Sequence, residues 1–191
     1  MPGRKLPLAS LPQKDRNYIR HAVRQGVDWI GLSFIRDAST ILKAKSIAKD
    51  EMRKMGAPLP AKGERPPLLW IAKIEDREGV DRIDEIAQVA DGLLVAQGDL
   101  PLGLAGMSLP QARDIIIRSG RRHNKPVLVG TNILASALEP GKGPTRKEIS
   151  LIGALSRKGV SHLMLSAETA MNPKAETVVE TLSRILQSRQ H

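Results

Sequence analysis

Leu68-Leu69-Trp70-Ile71-Ala72-Lys73-Ile74-Glu75 is apolar almost throughout and ends on a lysine and a glutamate. Apolar residues on both alternating faces suit a strand of a parallel sheet covered on both sides. Residues 28–34, 92–96, 126–131 and 162–166, rich in Val, Ile and Leu, read as four more strands of the same kind. Between them the apolar residues recur with helical period. Residues 13–25 form one such stretch, and Gly26 follows as a helix stop. Ser39 is the expected cap of a helix over 40–55, with Gly56 behind it. Further helices are expected over 80–89, 108–122, 145–157 and 175–186. Strand and helix thus alternate as in βα units, and the fold class is α/β with five parallel strands. Such a sheet is either open or part of an eight-stranded barrel, and periodicity does not separate the two.

Residues 57–67, APLPAKGERPP, contain four prolines and read as an exposed connection before the second strand. No other stretch reads as a linker, so residues 1–191 are expected to form one domain. Hydrophobic residues make up 41% of the chain and charged residues 26%, as in a soluble globular protein. With one Phe, one Tyr and two Trp, the core has to be built from Ile, Leu, Val and Ala. No apolar run is long enough for a transmembrane helix or a secretory signal, and cytoplasmic localisation is the expectation. The absence of cysteine excludes disulfides and thiolate metal sites. The net charge of +10 favours anionic partners such as nucleotides or phosphorylated metabolites. The charges are spread along the chain, and no RNA-binding aromatic motif accompanies them, which argues against nucleic acid.

Ligands of parallel α/β folds bind at the carboxyl ends of the strands, and here those ends carry polar chemistry. Alternation puts Ile71, Lys73 and Glu75 on one face, with successive pairs about 6.5–7 Å apart. The next strand runs out through Val95-Ala96-Gln97-Gly98-Asp99, which brings a second carboxylate to a neighbouring strand end. Glu75 and Asp99 together make a hard oxygen site suited to Mg²⁺ or Mn²⁺, with water and substrate completing the shell. The Lys73 ammonium between them and a substrate can stabilise charge developing on phosphoryl or enolate oxygens. Structural roles compete with each assignment. Lys73 and Glu75 can form an ordinary ion pair, Asp99 and Thr131 can be caps, and Ser166 with Glu168 can form a capping pair at the final helix.

Ser33-Phe34-Ile35-Arg36, the run KIEDREGV (73–80), Gly98-Asp99-Leu100, Lys125-Pro126-Val127, PTRKE (144–148) and LSAETA (165–170) resemble the pyruvate kinase family in wording and order. The resemblance runs from about Leu6 to the C-terminus. It implies a partial TIM barrel holding strands four to eight of the catalytic domain, without the lid and regulatory domains or the first three strands. By the same resemblance, Lys73 stabilises the transferring phosphoryl group and the enolate, and Glu75 and Asp99 bind the divalent metal. The Gly98 and Asp99 backbone amides hold the substrate carboxylate at the start of a short helix. Thr131 lies against the substrate and joins the proton relay. The implied reaction is phosphoenolpyruvate plus ADP to pyruvate plus ATP, in glycolysis. K⁺ is expected for the family, but its ligands lie outside this chain.

The wording departs from the family at several places. The usual Arg-Gly-Asp-Leu-Gly becomes Gln97-Gly98-Asp99-Leu100-Pro101, and LSGETA becomes LSAETA through Ala167. Gln97 lacks a charge and Pro101 lacks an amide proton. Metal binding is therefore expected, and kinase turnover by this chain alone is not. Half a barrel also leaves two open edges, so a homo-oligomer or a partner chain supplying the missing strands is expected. Two other readings compete: a non-catalytic module binding anions, metal or a protein partner, and a metal-dependent 2-oxo acid lyase. The words PTRKE and LSAETA are not those of the lyases.

Overall fold

A computed structural model describes residues 11–57, 68–131 and 133–188. The proline-rich connection expected over 57–67 falls, apart from Ala57, outside the described residues. Helix α1 (Gln13–Arg24) leads into β1 (Trp29–Leu32), α2 (Ala38–Lys54) and β2 (Leu69–Ile74). Two short helices, α3 (Arg77–Asp81) and α4 (Ile83–Val89), precede β3 (Gly92–Ala96). Then come α5 (Leu100–Gly103), α6 (Leu109–Arg122), β4 (Val127–Gly130) and a 3₁₀ turn (Ala135–Leu138). Helix α7 (Arg146–Arg157), β5 (His162–Met164), α8 (Ala167–Ala170) and α9 (Ala175–Gln187) follow. The five strands form one parallel sheet in the order β1-β2-β3-β4-β5, as expected from the sequence.

Alternation along the strands divides the sheet into two faces. Leu32, Trp70, Ala72, Ile74, Leu93, Val95, Val127 and Val129 point at the helices and join the main core with Ile41, Ile86, Ile116 and Ile152. Burial of each such side chain contributes about 1.5–3 kcal/mol against chain entropy. On the opposite face Ile71, Leu94 and Ala96 are buried apart from that core. At the two outer strands the rings of Trp29 on β1 and His162 on β5 meet edge to face, with centroids 6.3 Å apart. In a flat sheet, strands four places apart are separated by about 19 Å, too far for that contact. The sheet is therefore curled, its outer strands bent toward each other as across a barrel, and the open-sheet alternative falls.

Several local expectations need correction. The cap of α2 is Asp37: its Oδ1 accepts the Thr40 amide at 2.9 Å, while Ser39 Oγ donates to the same oxygen at 2.7 Å. Asp accepts from two donors at once, so it displaces serine from the cap and makes Ser39 a support. The single helix expected over 80–89 is two. Asp76 starts α3 by accepting the Gly79 amide, and Arg82, at φ −106° and ψ 20°, separates it from α4. The strand expected over 28–34 stops at Leu32, because Phe34 adopts a left-handed φ of 53°. Ser166 stands at the start of α8, not at the final helix; its carbonyl accepts the Thr169 amide at 3.1 Å, but its side chain does not cap the helix. It donates to the Glu168 carboxylate and holds it below its ordinary range. No helix among the described residues is long and apolar enough to cross a membrane.

Candidate active site

Lys73 is the last residue of β2 to point toward the concave face before the strand ends. Its side chain passes over Gly31 of β1, where a Cβ would lie 3.7 Å from Lys73 Cδ. The ammonium then donates to Ser33 Oγ at 2.8 Å and pairs with Glu75 Oε1 at 2.9 Å. The Glu75 side chain is 1% exposed, and its other oxygen accepts the Phe34 amide at 2.5 Å. A buried carboxylate is stable only when paired and hydrogen-bonded, and Glu75 is both. Phe34, at a left-handed φ of 53°, redirects the chain after its amide has bonded to Glu75.

The two sequence words at these strand ends interlock. Ile35 donates its amide to the Lys73 carbonyl at 3.2 Å, and Arg36 Nε pairs with Asp76 Oδ2 at 2.5 Å. Gly79 packs so tightly that a Cβ there would come within 2.6 Å of the Ile35 carbonyl oxygen. The PTRKE word is likewise structural. Thr145 and Glu148 form a reciprocal capping box at α7, and Glu148 also accepts the Ser136 amide at 2.9 Å.

At the end of β3, Gly98 and Asp99 are exposed, and Leu100 behind them is fully buried. Asp99 stands at the N-terminus of α5 without capping it through its side chain. Among the described residues its carboxylate has no protein partner, so it is available to a cation or a substrate donor. Pro101 lies in the first turn of α5, where a missing amide proton costs the helix nothing. Thr131, just beyond β4, adopts φ 63°, and its hydroxyl donates to the Gly130 carbonyl at 2.7 Å. Left-handed backbone is uncommon for a β-branched residue and costs about 1–2 kcal/mol. Gly98 sits against this threonine: a Cβ there would lie 3.3 Å from Thr131 Oγ1.

The sequence-named residues Lys73, Glu75, Gly98, Asp99 and Thr131 therefore all lie at the carboxyl ends of β2, β3 and β4. Lys73 with Glu75, and Gly98 with Thr131, are in direct contact. Sequence reading missed three participants. Ser33 and the Phe34 amide belong to a word it quoted, but nothing in the sequence shows a left-handed turn. Arg113 was legible: it interrupts the apolar stripe Ala112, Ile116, Ile117 of α6. It donates through Nη1 to Gln97 Oε1 at 2.9 Å.

Two carboxylates on adjacent strand ends are the donor type that a hard divalent cation takes, one or two at a time with waters and substrate. Asp99 is exposed, whereas both Glu75 oxygens are engaged, by the Lys73 ammonium and the Phe34 amide, so a cation held by Glu75 has to share or displace one of those partners. Among the described residues no cluster of three or more His, Cys, Asp or Glu offers a closed protein cage.

These features define five consecutive βα units of a (β/α) barrel, with a lysine and two carboxylates at its carboxyl rim. The profile of the family described as "Pyruvate kinase, barrel domain" matches residues 1–178. The pyruvate kinase of Thermotoga maritima is 33% identical over 97% of this chain, which covers 37% of that protein. That of Geobacillus stearothermophilus is 35% identical over 97% of the chain and 29% of the relative. Among solved structures, a Cryptosporidium parvum pyruvate kinase superposes with a TM-score of 0.84 and 28% identity, over 99% of this chain and 38% of that one. A second structure of a pyruvate kinase from that organism gives 0.83 and 29%, over 97% and 36%. The chain belongs to the pyruvate kinase family, and it spans about a third of the length of these relatives.

Proposed function

We propose that residues 1–191 are a single barrel module of pyruvate kinase type that binds phosphoenolpyruvate or pyruvate together with Mg²⁺ or Mn²⁺. In an assembly with a closed barrel, it serves phosphoryl transfer to ADP. The observation that carries this reading is the Lys73 ammonium, fixed by Glu75 and Ser33 at the carboxyl rim, with Asp99 exposed at the neighbouring strand end and its carboxylate unpaired among the described residues. Glu75 and Asp99 hold the divalent cation, which when bound neutralises charge on substrate oxygens. Lys73 faces the phosphoryl group and the enolate oxygen, where a preformed positive charge lowers the transition-state energy. The Gly98 and Asp99 amides hold the substrate carboxylate, and the Thr131 hydroxyl joins the proton path to the enolate carbon.

Phosphoryl transfer also needs further cationic groups, the monovalent cation and a lid that excludes water. Removing one preorganised charge donor typically costs about 10²–10³ in rate. The chain alone is therefore inactive in a coupled pyruvate-forming assay. The remaining strands come from the rest of a longer polypeptide, a partner chain or another copy, and the open edges of β1 and β5 are where they pair. A groove of about 640 Å³ along the β1 edge, lined by Ile19, Ile30, Leu32 and Phe34, gives such a strand its seat.

Calorimetric titration of Mn²⁺ tests the site. Oxalate, a mimic of the enolate of pyruvate, tightens Mn²⁺ binding to the parent chain, and the Glu75→Ala plus Asp99→Ala variant loses it. Equal affinity in parent and variant rejects the site. Deuterium uptake into the methyl group of pyruvate, followed by NMR, tests the enolate chemistry; Lys73→Met abolishes it if the assignment holds.

A further inference from the structure

The Gln97 carboxamide is buried, 3% exposed, between two groups that fix its orientation. Its Nε2 donates to the Thr131 carbonyl at 3.0 Å, and its Oε1 accepts from Arg113 Nη1 at 2.9 Å. A carboxamide carries a donor end and an acceptor end of nearly equal shape, and either could face Thr131. A guanidinium only donates, so Arg113 admits only the oxygen and turns the amide nitrogen toward Thr131. Thr131 is the residue that needs holding, because its left-handed backbone is unfavourable for a β-branched side chain. Its other backbone bond, from its amide to the Met164 carbonyl, is long at 3.3 Å.

The placement of Arg113 is itself costly. It extends from the stripe of α6 that otherwise buries Ala112, Ile116 and Ile117, and its Nε is buried without an acceptor among the described residues. Burial pushes its guanidinium below its ordinary range, against the opposing pull of Asp114. An apolar side chain would fill the same position without that cost. What only the guanidinium supplies is the orientation of Gln97.

We propose that Arg113 is a positioning residue of the rim, which through Gln97 locks Thr131 in the left-handed conformation that sets its hydroxyl against the Gly98–Asp99 turn. The consequence for ligand binding rests on the function proposed above; the conformational lock does not.

The test uses the full chain and three variants: Arg113→Met, Gln97→Glu, and the exchanged pair Gln97→Arg with Arg113→Gln. Glutamate at 97 still accepts from Arg113 but cannot donate to Thr131, so a merely structural contact survives in this variant while the lock is lost. NMR reads the lock through the Thr131 Cα and Cβ shifts and the exchange of its amide proton. In Arg113→Met and Gln97→Glu the shifts leave the left-handed range and exchange quickens about tenfold, the loss of one hydrogen bond. In the exchanged pair, Arg at 97 donates to the Thr131 carbonyl, and the parent shifts return. Affinity for Mn²⁺ with oxalate falls about tenfold in the two single variants and recovers in the exchange. Parent-like Thr131 shifts and exchange in folded Gln97→Glu overturn the proposal, and this variant decides the matter even if Arg113→Met does not fold. A parent chain that ignores Mn²⁺ and oxalate overturns the proposed function instead, and the NMR outcome still decides the lock.

Discussion

Glu148 joins the segment after β4 to the start of α7, and replacing it measures what holds the far side of the rim. Its Oε1 accepts the Ser136 amide at 2.9 Å. Its Oε2 accepts the Thr145 amide and hydroxyl, each at 2.7 Å, and the Ser136 hydroxyl. Burial alone would raise this carboxyl, but the four hydrogen bonds outweigh it and hold the pKa at about 2 against an ordinary 4.5. By linkage that interval corresponds to about 3.4 kcal/mol favouring the folded state. The carboxylate is partly exposed, and solvent screening reduces the figure to roughly 1–1.5 kcal/mol. Because the folded pKa is depressed, the stabilisation is complete above about pH 4.5 and disappears as the pH falls toward 2. Glu148→Ala should lower Tm by about 2–6 °C at pH 7, the range expected for a chain of this size. The difference between parent and variant should shrink steadily between pH 4.5 and 2.5. Thermal unfolding followed by circular dichroism at several pH values provides the assay. Equal Tm values at pH 7, or a difference that persists undiminished at pH 2.5, would refute the reasoning.

Urea unfolding should show that Asp37→Ala costs about 1 kcal/mol, the loss of an N-cap, with Ser39→Ala costing less; the reverse order would restore serine as the cap. Gly103→Ala places a Cβ 2.8 Å from Asp76 Cβ and 3.0 Å from the Glu75 carbonyl oxygen. Backbone cannot yield there as a side chain can, so stability should drop by about 1–3 kcal/mol and Mn²⁺ affinity should fall with it. Unchanged stability would mean that α5 is free to move off β2. The open edges, with Trp29 and Phe34 44% and 57% exposed, predict that sedimentation velocity shows mass rising with concentration. A monodisperse monomer at high concentration counts against edge pairing.

Much of the architecture was legible because its signals are local. Apolar runs such as 92–96 have nowhere to go but a sheet covered on both faces, and β3 is buried at every position. Gly26 and Gly56 stand just past α1 and α2 with φ of 65° and 67°, the conformation that made them readable as helix stops. Lys73, Glu75 and Asp99 were legible because polar residues at the end of an apolar strand have to face a rim or a partner. The order of the motifs gave the same reading at a coarser level.

Other features depend on contacts between residues distant in the chain, and local signals do not encode them. Whether five βα units lie open or curl toward a barrel was decided where Trp29 meets His162 across the sheet. That the Glu75 carboxylate needs the Phe34 amide became visible only when β1 and β2 stood side by side. The break at Arg82 escaped a periodic reading because the buried Val80, Ile83, Ile86 and Ala87 keep helical spacing across it. Arg113 is the clearest division between the two kinds of information. Its place in an apolar stripe is written in the sequence, but its partner is not: α6 packs against β3, and that packing brings the guanidinium to Gln97, sixteen residues earlier in the chain. Sequence by itself determined which residues had to be buried, capped or left at a strand end, because those demands are met by neighbours a few residues away. Tertiary structure alone decided which of them touch, because a hydrogen bond between strand ends depends on register and curvature, and these are set by the packing of the whole sheet against its helices.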